Sequence, residues 1–365
     1  MVVGAGFAGA VVAERLATAG LTVRVLEKRD HLAGMAHDAV DASGIRVQTY
    51  GPHYFRTSAQ HVVDYLSRFT AWHPVEYRAA AWAEGRLWPF PISLETFEAL
   101  AGKEATSHEF ERWLSAERVP IASPTTSEEL VLSTVGRRLY ELFYAGYTSK
   151  QWARPASELP ASLAGRIPVR TTRDRRYLVE PFQAVPVDGY TRLFERLLDH
   201  PRITVELGRA FRLDDRRAGA HLVYTGPLDA LYDYRLGALP WRSVRWERET
   251  VYRAPAQAEM QVNYPNDHAY TRVLEPRWLM PSPPAGVSTL VREYPVDWAP
   301  GLEPYYALPT LEARAHYARY RALAEADSEL TVLGRLGRYT NYNMDQVTAQ
   351  ALEVAAALVA RLCPR

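Results

Sequence analysis

The chain has 365 residues, 47% of them hydrophobic, enough to bury a core divided into two or three packed units. Its 43 basic and 42 acidic residues leave a formal net charge of +1, which argues against a general binder of nucleic acid. The single cysteine, Cys363, excludes a disulfide framework or a cysteine-built zinc site, and no apolar run approaches the roughly 18 residues of a membrane span. With no leader-like start, the expected setting is reducing and cytoplasmic.

Val2 and Val3 end a first strand, and Gly4, Gly6 and Gly9 follow as G-x-G-x-x-G with Phe7 inside the motif. A helix with a small-residue face (Ala10, Val11, Ala13, Leu16, Ala17) comes next, then a second strand over 22–26 that ends at Glu27. The glycines permit a tight turn and close approach of a diphosphate to the helix N-terminus, and Glu27 can accept from a ribose 2′-hydroxyl. Strand, helix, strand and acid in this order predict a dinucleotide-binding unit.

Residues 61–69 carry apolar side chains at helical spacing, and 76–92 alternate as a hairpin that ends at prolines. From 94 to 153 the pattern is helical, with Ser127 before Glu128 and Glu129 as a helix start. Residues 165–190 read as extended and rich in proline and arginine. The segment "GRIPVRTTRDRRY" alone holds Arg166, Arg170, Arg173, Arg175 and Arg176, a concentration of cation that asks for an anionic ligand. Residues 221–226 form a short strand, 244–295 hold several more, and 330–337 with a helix over 345–362 return to the nucleotide-binding unit.

The predicted fold class is α/β, a discontinuous Rossmann-like FAD-binding domain of the glutathione-reductase type with a helical insertion and an antiparallel sheet. The expected boundaries are 1–75, 190–240 and 318–365 for the FAD-binding domain and 93–160 for the helical domain. Residues 76–92, 161–189 and 241–317 form the sheet or substrate domain. FAD is favoured over a nicotinamide because "KRDHLAGMA", including Lys28 and Gly34, resembles the extended FAD motif of glutathione-reductase-like flavoproteins. No second G-x-G-x-x-G offers a separate nicotinamide module.

Several segments together resemble bacterial UDP-galactopyranose mutases nearly end to end. They include "YGPHYFRT", "LWPFPI", "GYTSKQWARPASELPASLAGRIPVR", "YTGPLDALYDYRLGALPWRSV", "REYP", "EPYYAL" and "GRLGRYTNYNMDQV". The resemblance implies an isomerase that interconverts pyranose and furanose forms of a nucleoside-diphosphate sugar through a covalent flavin N5–sugar adduct on reduced FAD. The substrate is UDP-galactose-like or a variant sugar nucleotide. An external reductant serves the flavin, and a homodimer is the common arrangement of bacterial relatives. A catalytically silent binder and an FAD-dependent oxidoreductase on the same fold are the rival readings.

By the same resemblance, Arg170 and Arg292 clamp the diphosphate. Tyr147 stacks on the base, Trp152 bounds the sugar, Tyr305 bonds a phosphate oxygen, Tyr177 helps close the site, and Arg272 is a further substrate or structural candidate. Core packing is the competing reading for Tyr147 and Trp152. His53 lies near the flavin or is structural, and Arg335 touches the FAD diphosphate. Thr225, Gly226, Asn343, Met344 and Gln346 fall in other flavin-contacting segments, and a mobile loop lies after or around "RTTRDRR". The chain departs from the family pattern at Ala33–Met35, at Arg56 (a histidine beside the flavin), at Phe182 and Asn341 (tyrosines), and at Asn343 (an aspartate). These changes motivate the expectation that the preferred sugar nucleotide is not UDP-galactose.

Overall fold

Short, largely apolar strands suit a sheet covered on both faces, and the chain supplies five. In the computed structural model, which describes residues 1–217 and 219–363, they lie in the order Ile203–Glu206, Val23–Leu26, Val2–Val3, Leu222–Tyr224, Leu330–Val332. Every neighbouring pair is parallel. The helix Phe7–Thr18 buries Ala10, Val11, Val12 and Ala13 completely and shares one core with Ala351 and Ala355 of the C-terminal helix Met344–Leu362. Small side chains on both helices allow this close approach. The strands come from separated parts of the sequence, so the Rossmann-like unit is discontinuous, as predicted.

The helical insertion consists of Leu94–Ala101, Ser107–Glu117, Ser127–Tyr140 and Gly146–Trp152. Its core packs Phe97, Phe110, Leu114 and Leu139 against Trp88 and Phe90 of the preceding hairpin. The third helix begins at Ser127, as predicted, and Thr126 is its N-cap, accepting from the Glu129 N–H at 3.2 Å, while the Glu129 carboxylate accepts from the Thr126 N–H at 3.1 Å. This reciprocal pairing satisfies donors that the first helical turn leaves open.

A seven-stranded sheet runs Tyr306–Ala307, Trp241–Val251, Ser288–Asp297, Arg272–Leu274, Gln261–Asn263, Ala79–Ala83, Arg86–Phe90. It is antiparallel except where Gln261–Asn263 lies parallel to Ala79–Ala83. The exception to the predicted antiparallel sheet arises because the 79–90 hairpin joins the edge from a distant part of the chain. Phe182–Pro186 pairs with Phe55–Thr57 and Trp72–Pro74 in a smaller sheet. Among the described residues, no helix is long and apolar enough to cross a membrane.

Candidate active site

The carboxyl ends of the parallel strands face the seven-stranded sheet across a cavity of about 790 Å³, lined at one end by Val3, Gly4, Leu26, Glu27 and Thr225 and at the other by Tyr77, Gln261 and Arg272. Ligands of open α/β sheets occupy this kind of crevice.

The first end is built to take a dinucleotide. Gly4 has φ +100°, and a Cβ at Gly9 would lie 1.9 Å from the Gly4 carbonyl oxygen, so only glycine fits the turn. Gly6 caps the helix without a side-chain partner, and no acidic residue occupies its first turn. Its leading N–H groups and positive dipole end are therefore available to an anion. Glu27 is buried, with Oε2 accepting from the Ala5 N–H at 2.8 Å and Oε1 from the Arg29 N–H at 3.0 Å. A carboxylate keeps further lone pairs for a ribose hydroxyl. Arg29 bridges Glu27 at 3.1 Å and Glu303 at 2.7 Å, and Lys28 reaches Glu303 at 3.2 Å. Arg29 Nε, Trp241 Nε1 and Arg335 Nε are buried without partners among the described residues, and all three side chains line the cavity. Orphaned buried donors of this kind are costly unless a ligand uses them, so the residues fit a bound dinucleotide.

The second end is built on cross-strand geometry. Arg272 and Glu293 are directly opposite in neighbouring strands, with Arg272 Nε donating to Glu293 Oε2 at 2.9 Å. Burial opposes the Arg272 charge, and the facing Glu293 carboxylate together with Tyr147, Tyr306 and Tyr77 outweighs it, holding the guanidinium well above its ordinary pKa. Gln261 accepts from the Tyr77 hydroxyl and donates to Asn263 at 2.8 Å. Tyr177 also lines this end; burial pushes its hydroxyl up, while the Arg272 and Arg56 charges pull it down. Trp152 and Tyr306 line the cavity with ring centroids 5.7 Å apart. Tyr305 donates its hydroxyl to the Tyr50 carbonyl at 2.7 Å.

His53 binds the Gly51 carbonyl oxygen through Nδ1 at 3.0 Å. Burial lowers its pKa to about 4, with Arg335 and Arg272 adding to the effect, so the ring is neutral at pH 7. Arg56 lines the cavity and is ion-paired with Glu180. Arg335 donates to the Tyr305 carbonyl at 2.9 Å and the Tyr342 carbonyl at 3.3 Å. Asn341 pairs its amide with both backbone groups of Ala307, at 2.9 and 3.0 Å.

Of the sequence-predicted residues, the cavity brings together Gly4, Gly6, Phe7, Glu27, Lys28, Gly34, His53, Arg56, Thr225, Gly226, Arg335, Asn343 and Met344 at its walls. With them are Trp152, Tyr177, Arg272, Tyr305 and Asn341. Six lie outside the lining. Gly9 shapes the turn from behind, and Gln346 accepts from the Asn343 N–H at 2.9 Å as part of a helix cap. Phe182 packs against Trp72 and Phe55 at 5.3 and 6.1 Å. Tyr147 is half-buried; burial raises its hydroxyl pKa against the Arg272 charge.

Arg170 is turned onto its own loop, donating to the Asp174 and Arg176 carbonyls at 3.2 and 2.6 Å. Arg292 pairs with Glu249 at 2.6 Å. Neither arginine expected to clamp a diphosphate lines the cavity, whereas Arg272 does. Arg173, Arg175 and Arg176 each meet a carboxylate of the protein (Glu98, Glu259 and Asp174, at 2.5, 3.0 and 2.8 Å). The side chain of Arg166 lies outside the described residues.

Sequence reasoning missed Arg29, Tyr77, Gln261, Trp241, Tyr306 and Glu293. Strand alternation held a signal for the last: neighbours in a strand point to opposite faces, so Arg292 and Glu293 cannot both face the cavity.

A family model described as UDP-galactopyranose mutase matches residues 142–341, and one described as NAD(P)-binding Rossmann-like domain matches residues 2–69. A protein of Klebsiella pneumoniae named "Probable UDP-galactopyranose mutase" is 37% identical over 97% of this chain and 93% of its own length. An Escherichia coli dTDP-fucopyranose mutase is 32% identical over 97% of both chains. A crystal structure of a reduced UDP-galactopyranose mutase superimposes with a TM-score of 0.77 at 17% identity, covering 100% of this chain and 96% of the other, and shows the shared fold. The chain belongs to the UDP-galactopyranose mutase family.

Proposed function

We propose that the protein binds FAD at the glycine-rich end of the cavity and converts the pyranose form of a nucleoside-diphosphate sugar to the furanose form, and back, at the arginine end. One observation carries this reading: a single cavity joins a dinucleotide cradle to a largely buried, ion-paired guanidinium. When bound and reduced, the flavin supplies a nucleophilic N5 toward the anomeric carbon and an external reductant keeps it competent.

The protein's own residues do the rest. Arg272 receives the diphosphate, whose negative charge grows as the glycosidic bond breaks, and Glu293 holds the fork in place. Tyr77 and Tyr177 border the same end and offer hydroxyls. Trp152 and Tyr306 give the sugar an apolar wall and exclude water. His53, neutral at pH 7, adds no charge beside the flavin.

The relatives' names support a uridine or thymidine diphosphate hexose as substrate. Of the two tyrosine replacements that motivated a changed specificity, only Asn341 borders the cavity. A chromatographic assay tests the reading on reduced protein offered UDP-, dTDP-, GDP- and CDP-hexoses, with oxidised protein as control. Conversion of one member only in the reduced state is expected. Binding without conversion of any member would overturn the proposal.

A further inference from the structure

Two arginines, Arg170 and Arg56, are held by carboxylates of one short segment. Residues 171–181 contain no helix or strand. Within them, Asp174 approaches Arg170 at 3.5 Å and Glu180 binds Arg56. Arg56 stands on the strand Phe55–Thr57 and lines the cavity, with Tyr177 and Leu178 of the segment beside it.

The two ends of the segment are fastened differently. Toward the helical insertion, Arg173 reaches Glu98 at 2.5 Å, Arg175 reaches Glu95 at 3.3 Å, and Thr171 donates to Glu111 at 3.0 Å. Toward the cavity, Glu180 is held by Arg56 and by Gln183, which donates to its carbonyl at 2.9 Å. Val179 projects into solvent.

We infer that Arg56 is an anion-receiving residue of the cavity whose place is kept by Glu180, and that an anionic group of the sugar nucleotide displaces Glu180 and takes the guanidinium. The inference rests on the proposed substrate class. The Arg56 and Glu180 side chains are 27% and 24% exposed, so the pair is open enough for an incoming anion to reach the guanidinium. A planar guanidinium takes phosphate or carboxylate in the same two-pronged way. Its incoming partner is therefore either the diphosphate or an acidic group on the sugar. Displacement would also release the Tyr177–Glu180 end while the Arg173 and Arg175 contacts keep the other end fixed, so ligand entry and segment movement share one ion pair.

The test measures dissociation constants of UDP and UDP-galacturonate for the holoenzyme by tryptophan fluorescence, in wild type, E180Q, R56Q and the double variant. Limited proteolysis of residues 171–181 is followed in parallel. If the diphosphate is the partner, E180Q binds UDP at least threefold tighter. If a sugar acid is the partner, only UDP-galacturonate gains. In either case R56Q binds more weakly, the double variant matches R56Q, and E180Q is cut faster than wild type without ligand. Unchanged affinity of E180Q for both ligands, or additive effects in the double variant, would overturn the inference while leaving the proposed function intact. Failure of wild type to bind any nucleoside diphosphate would overturn both.

Discussion

Arg272 and Arg292 carry the same charge on neighbouring strands, yet the pleat sends them to different surroundings. Arg272 is locked to fully buried Glu293, while Arg292 lies with Glu249. Losing a preorganised guanidinium from a water-poor site costs on the order of a hundredfold or more in rate. R272A is therefore expected to lower kcat/KM by at least about 100-fold and R292A by less than about fivefold; steady-state kinetics on reduced protein checks this, and the reverse order would contradict it. His53 gives a pH prediction. Its folded pKa of about 4 lies below the unfolded value near 6.5, so the unfolded chain binds more protons between them. Stability falls as pH drops from about 6.5 toward 4, with a slope of at most about 1.4 kcal/mol per pH unit for this residue. His221, lowered to about 4 by burial and by Arg361, acts in the same direction. Urea unfolding at pH 7 and pH 5 checks this, with H53N expected to lose less stability than wild type.

At the scale of elements, the first turn and the caps carry separable roles. A Cβ at Gly9 collides with the Gly4 carbonyl, so G9A is expected to distort the turn and to purify with little or no bound flavin. The ratio of flavin to protein absorbance reads this directly, and full occupancy would count against the cradle. T126A removes a helix N-cap far from the cavity and is expected to cost about 1 kcal/mol of stability with flavin content unchanged. Four of the five parallel strands and the C-terminal helix were legible because glycine spacing, an apolar run and helical periodicity are local signals, whereas the edge strand Ile203–Glu206 was not read. The parallel pairing of Gln261–Asn263 with Ala79–Ala83 was not, because it depends on where a distant hairpin docks. Tyr77, Gln261 and Trp241 were missed for the same reason: single polar or aromatic residues gain meaning only when the sheet brings them to one cavity. Strand alternation sets Arg292 and Glu293 on opposite faces, but that Arg272 shares the face of Glu293 is fixed only by the cross-strand register.

For the whole molecule, the arrangement unites a discontinuous Rossmann-like unit, a helical insertion and a sheet around one cavity. In the proposed function the flavin acts without net redox change. The most direct measurement reduces the holoenzyme anaerobically with one equivalent of dithionite per flavin, supplies the nucleoside-diphosphate sugar that the panel assay selects, and counts product per flavin while recording the flavin spectrum. The account predicts many products per flavin, a spectrum that stays reduced, and no conversion by oxidised protein. One product per flavin accompanied by reoxidation, or equal conversion by oxidised protein, would contradict it.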